Sequence, residues 1–89
     1  MTIAYRVPFR VDRTDVPHYR LINTSHEQLT GLRIMLLGPG TMLRLSTLRV
    51  SPGASVIVTV RGRDLARSSV LIVRWFRPNG DEYLWRVSF

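Results

Sequence analysis

Two histidines, six carboxylates and thirteen arginines are the side chains with which this chain could do chemistry. His18 and His26 share one region with Asp12, Asp15 and Glu27. A zinc site would need two or three of those carboxylates beside the histidines, and no pair stands at metal-motif spacing. Both histidines therefore read as surface or strand-end residues. Several serines could be drawn into a Ser-His-Asp arrangement, but no strand–turn–helix elbow presents one. Gly38-Pro39-Gly40 lacks the lysine and the following helix of a phosphate loop, and reads as a turn. There is no cysteine, which removes disulfides, thiol chemistry and the usual zinc ligands. With no acid, base and nucleophile converging, no enzyme activity, metal or cofactor is expected.

The basic residues are all arginine, and they leave a formal charge of +7. An arginine-biased, GC-rich bacterial or phage genome would produce this, and so would selection for bidentate contacts to phosphate or carboxylate. Arg61, Arg63 and Arg67 fall in one loop and are the candidate anion-binding residues. Arg6, Arg10 and Arg13 run along the first strand and its exit. If the two groups meet they form an anion-binding stripe. If they do not, they are a solvated surface.

The aromatic residues raise a similar choice. Trp75, Tyr83 and Trp85 could stack on sugars or bases. Leu71, Val73 and Val87 continue the same face, which favours a core. The opposite face sets Ile72, Phe76 and Leu84 among Arg74, Arg86 and Glu82. It is unusually apolar for a solvated surface. Ile72, Arg74, Phe76, Leu84 and Arg86 are accordingly the candidate protein interface. Its partner would be another protein or a second copy of the chain, and pairing through a sheet edge is the other route by which a protein partner would bind. A nucleic acid bound through arginine is the second choice, and cover by a loop of the same chain would satisfy the face equally.

These faces exist only if the C-terminal stretch is a hairpin. VLIVRWF and YLWRVSF flank Arg77-Pro78-Asn79-Gly80-Asp81. Pro78 suits the second position of a type I turn, Asn79 the third, and Gly80 the left-handed residue of a G1 bulge. That loop sets Arg77 opposite Asp81, Trp75 opposite Tyr83, Val73 opposite Trp85 and Leu71 opposite Val87. A two-residue Asn79-Gly80 turn would put Arg74 opposite Trp85 and ask Pro78 for an N–H it lacks.

Upstream, period-two alternation predicts strands over Ile3–Val11, His18–Asn23, Gly31–Leu37 and Ala54–Arg61. Pro8 places the first at a sheet edge. Val56, Val58 and Val60 face inward and Ile57 and Thr59 outward. A short strand is expected over Thr41–Leu45, extended by Thr47–Val50 after a break. Asp12–Pro17 and Gly62–Ser68 are loops, the latter with at most one helical turn over Asp64–Arg67. Seven strands with turn signals every ~8–12 residues predict an antiparallel sandwich.

Eighty-nine residues allow one domain with one core, spanning 1–89. The N-terminus alternates polar with apolar residues and does not read as a signal peptide. No run approaches the ~18–20 apolar residues of a membrane-spanning helix. A cytoplasmic location is expected of a whole chain, and export if it is a piece of a larger protein.

Three segments together resemble bacterial Ig-like domains of the cell-adhesion-related and fibronectin-III-like kind. LINTSHEQLTGLRIML is similar to a strand, Asn-Thr-Ser turn and strand of those domains. LRVSPGASVIVTV resembles the strand that follows their Pro-Gly turn, and VLIVRWFRPNGDEYLWRV their closing hairpin. The likeness covers about residues 17–89. It implies an Ig-like Greek-key sandwich with a role in binding or spacing, and carries over no catalytic or ligand residue. The strong positive charge departs from that pattern.

Overall fold

The structure, a computed structural model, describes residues 4–89. The chain is all-β, with two antiparallel sheets. One sheet has the order β1 (Phe9–Asp15), β2 (His18–Asn23), β5 (Ser55–Thr59). The other has the order β4 (Leu45–Val50), β3 (Leu29–Leu37), β6 (Val70–Phe76), β7 (Glu82–Ser88). A single helical turn, α1 (Leu65–Ser68), lies between β5 and β6.

The inner faces of the two sheets share one core. Phe9, Tyr19, Leu21 and Val58 come from the first sheet, and Leu32, Ile34, Val73 and Trp75 from the second. The Phe9 and Trp75 rings meet nearly at right angles, with 5.3 Å between centroids. Phe89 closes the far end against Tyr19 in the same manner, also at 5.3 Å. Each strand turns one set of alternate residues to this core and the other set outward, so alternation sorts it into an inner and an outer face.

The hairpin has the expected register, with Trp75 opposite Tyr83, Val73 opposite Trp85 and Leu71 opposite Val87. Its loop is closed by Arg77 N–H to the Asp81 carbonyl and Gly80 N–H to the Arg77 carbonyl, both at 2.9 Å. Alternation also places β5 as expected, with Val58 and Val60 buried and Ile57 exposed.

Several boundaries differ from the sequence expectation. The first strand is Phe9–Asp15 rather than Ile3–Val11, and residues 1–3 lie outside the described residues. Pairing with β2 starts only at Phe9 opposite Asn23, because Pro8 offers a carbonyl but no N–H. That carbonyl accepts from Thr24 N–H at 2.8 Å. Strand pairing then continues, with an irregularity, through the predicted Asp12–Pro17 loop to Asp15 opposite His18. β3 begins at Leu29, two residues before Gly31. β4 is Leu45–Val50, and Thr41 instead bridges Arg61, which follows β5 in the chain. The segment from Thr41 to Leu45 therefore crosses from one sheet to the other. β5 is shorter than Ala54–Arg61, and the helical turn sits one residue later than expected.

Candidate functional site

The outer face of the four-stranded sheet is built in rows set by the register. Ser46, Arg33, Arg74 and Leu84 lie side by side across β4, β3, β6 and β7. Met35, Ile72 and Arg86 form the next row, and Leu37, Val70 and Ser88 the one after. Alternation turns all of these away from the core residues Ile34, Leu71 and Val73. The five interface candidates Ile72, Arg74, Phe76, Leu84 and Arg86 thus share one face. The structure adds Arg33, Met35, Leu37 and Leu48 from β3 and β4, strands remote in sequence.

Much of the apolar surface on this face is open. Leu84 is 56% exposed, Leu37 55% and Leu48 82%. Phe76 is half-buried because its ring lies over Gly31. A Cβ at Gly31 would stand 2.9 Å from the ring, and Gly31 has φ of +56°. Glycine is what lets the ring lie this close to the strand. Phe76, Gly31 and Leu48 line a hollow of about 310 Å³.

At the loop end of the hairpin, Glu82 holds two arginines. Arg33 Nη2 reaches its Oε2 at 3.1 Å, and Arg74 Nη2 its Oε1 at 3.1 Å. Arg74 Nε is covered and has no hydrogen-bond partner among the described residues. Arg33, Arg44 and Arg74 also border a hollow of about 390 Å³ with Met35 and Leu45.

The loop arginines are placed differently. Arg61 is paired through its backbone to Thr41. Arg67, in α1, borders a hollow of about 270 Å³ with Arg86, Leu37 and Val70, whereas Arg61 and Arg63 do not line it. Arg13 donates to the Ser88 carbonyl at 2.6 Å and so ties β1 to β7.

His18 sits on the outer face of the other sheet, with Nδ1 2.8 Å from Thr59 Oγ1. It shares a shallow hollow with Asp12 and Asp15. Asp12 accepts from both the hydroxyl and the N–H of Thr14. These bonds hold its carboxyl below the usual carboxylate range, helped by Arg10 and Arg20. Glu27 is engaged elsewhere, bound by Arg77 through two N–H···O contacts of 3.0 Å. Among the described residues, no three His, Asp or Glu side chains group as metal ligands.

The aromatic residues are core rather than platform. Trp75 is 1% exposed, and its Nε1 donates to the Tyr5 hydroxyl at 3.1 Å. Tyr5 packs on Tyr83 at 4.5 Å and carries the Arg77 guanidinium on its ring at 4.1 Å. The segment before β1 thus closes over the hairpin's inner face.

Sequence reasoning missed Asn23. Its side chain is fully buried and donates to the Glu27 and Val50 carbonyls, each at 2.9 Å. It accepts from Ser25 N–H and Oγ. The signal was its phase: Tyr19, Leu21 and Asn23 alternate on the inward side. Compared with known protein families, with curated proteins and with solved structures, the chain matches none.

Proposed function

We propose that this chain is a non-catalytic interaction module with an Ig-like Greek-key sandwich fold. It binds a protein partner through the Arg-apolar outer face of its four-stranded sheet. The strand orders support the fold reading. β5 returns beside β2 and β6 beside β3, the non-sequential neighbours that Greek-key connections produce.

One observation carries the functional reading. Leu37, Leu48 and Leu84 stand open on the same face as a fixed Arg33–Glu82–Arg74 ion triad. Apolar surface to bury, with orienting charges beside it, is how a protein interface is built. The triad's two guanidiniums share one carboxylate, leaving one net positive charge, so a polyanion gains less there than a mixed protein surface does. The loop set Arg61, Arg63 and Arg67 remains the polyanion alternative. Its affinity would fall with salt at a slope of roughly −3 on duplex DNA if all three met phosphates.

The test is affinity capture from bacterial lysate, with and without nuclease, using the wild type and the folded variants Phe76→Arg and Leu84→Arg. A protein retained after nuclease by the wild type and lost by both variants supports the reading. Nuclease-sensitive capture, unaffected by these variants, moves it to the polyanion alternative. Sedimentation across micromolar concentrations separates a foreign partner from a second copy.

A further inference from the structure

Four strands are sheet edges: β1 and β5 of one sheet, β4 and β7 of the other. An unguarded edge pairs with whatever strand it meets, and proteins blunt theirs with charge, proline, bulges or cover. β1 carries Arg10, Asp12, Arg13 and Asp15 and an irregular register. β4 carries Arg49. β7 carries Glu82 and Arg86, and its Ser88 carbonyl is taken by Arg13. β5, Ser-Val-Ile-Val-Thr, has no charge, no proline and no bulge.

The backbone itself shows which groups of β5 point outward. Val60 N–H donates inward, to the Pro17 carbonyl beside β2. Arg61, the next residue, exchanges both its bonds with Thr41 on the other side, at 2.7 and 3.0 Å. Successive residues of a strand aim their backbone groups to opposite sides. Thr59, Ile57 and Ser55 therefore aim theirs the same way as Arg61. Thr41 supplies the first rung of a strand on that side. The chain then leaves for the other sheet and joins β3 at Leu45. Among the described residues no strand pairs with the edge below that rung.

The crossing leaves a cleft of about 430 Å³ between this edge and residues 43–46. Leu43, 90% exposed, Arg44 and Leu45 line one side, and Ile57 and Thr59 the other. No acidic residue lines it, and Arg44 makes no ion pair among the described residues.

We propose that β5 accepts an extended acidic segment of a partner protein as an added strand. The segment pairs its backbone with Ile57 and Thr59, lays an apolar side chain on Leu43 and places a carboxylate at Arg44. Charge complementarity selects this occupant. A second copy would bring its own formal charge of +7 against the first, whereas an acidic strand is drawn to the field. This site is separate from the sheet face proposed above, and stands or falls independently of it.

The experiment titrates the protein with short labelled peptides alternating glutamate and valine. Matched peptides alternate lysine and valine, or carry N-methyl groups on alternate backbone nitrogens of the glutamate form. Binding is read by anisotropy, and the site by amide exchange in NMR. The glutamate peptide binds, slows exchange at Ile57 and Thr59, and loses about tenfold or more in affinity on N-methylation. Ile57→Pro has the same effect, since it removes an outward N–H and leaves the β2 ladder intact. Arg44→Gln weakens binding severalfold, and Phe76→Arg on the sheet face leaves it unchanged. No binding at millimolar peptide overturns the proposal. So does equal binding of the N-methylated form, or of the lysine form. Protection of Ile57 and Thr59 without peptide, in a dimer seen by light scattering, assigns the edge to a second copy and overturns it as well.

Discussion

The Asn23 side-chain amide donates to the Val50 carbonyl at 2.9 Å, fastening the end of β2 in one sheet to the end of β4 in the other. The same amide nitrogen reaches the Glu27 carbonyl, and the Asn23 oxygen takes Ser25. Asn23→Ala leaves the buried Val50 carbonyl without this donor and the Glu27 carbonyl with only Ser25 Oγ, at 3.3 Å. The expected loss is about 2–3 kcal/mol, seen as a lower urea midpoint at unchanged slope. An unchanged midpoint would show that the bridge contributes nothing net.

Gly31→Ala meets two obstacles, a left-handed backbone and the Phe76 ring. The backbone alone costs about 1–2 kcal/mol, and the ring must also shift. Gly53→Ala is the control, since Gly53 also has positive φ but nothing within 4 Å of its added Cβ. Gly31→Ala should be the more destabilising of the two in urea unfolding, and the excess measures the Phe76 contact.

Tyr5→Phe leaves Trp75 Nε1 without its acceptor in a buried place. A loss of about 1–2 kcal/mol is expected, with the indole N–H exchanging faster in NMR. Burial holds the Tyr5 phenol above its ordinary value of 10.0, more than Trp75 N–H donation lowers it. Ultraviolet titration should therefore show the Tyr5→Phe variant lacking a late-ionising phenol that the wild type has.

Asp12 works in the opposite sense. Its folded-state carboxyl is depressed by the two Thr14 bonds, so its contribution is full above the unfolded value of about 3.9 and is lost as pH falls through the folded value. NMR titration of the Asp12 carboxyl should place its midpoint below that of a model peptide. Thr14→Ala removes the hydroxyl bond and keeps the backbone one, so the midpoint should move only partway back.

Val58→Ala should cost about 1–3 kcal/mol, because Val58 is 3% exposed. The neighbouring Ile57→Ala, at 51% exposure, should cost well under half as much. Comparable losses would mean that both faces of β5 are covered in solution.

The amino-acid sequence by itself determined what is local. The hairpin register follows from Pro78, Asn79 and Gly80, because a turn type fixes which residues face each other. The inner face of a strand follows from period-two alternation, so Val58 and Trp75 were legible as core. Boundaries were less so, because a strand ends where its partner ends. β1 starts at Phe9 because Pro8 has no N–H to carry the pairing past Asn23, and the alternation that runs on before Phe9 says nothing of that. The tertiary structure alone decided what lies beside what across long separations. Arg33 on β3 and Arg74 on β6 meet on one carboxylate of β7, and Leu48 joins their face from β4. The crossing of residues 41–45 between sheets, which opens the edge of β5, rests on a single bridge between Thr41 and Arg61. Such neighbours are set by the packing of whole sheets and the closure of long loops, and neither leaves a periodic trace in the chain.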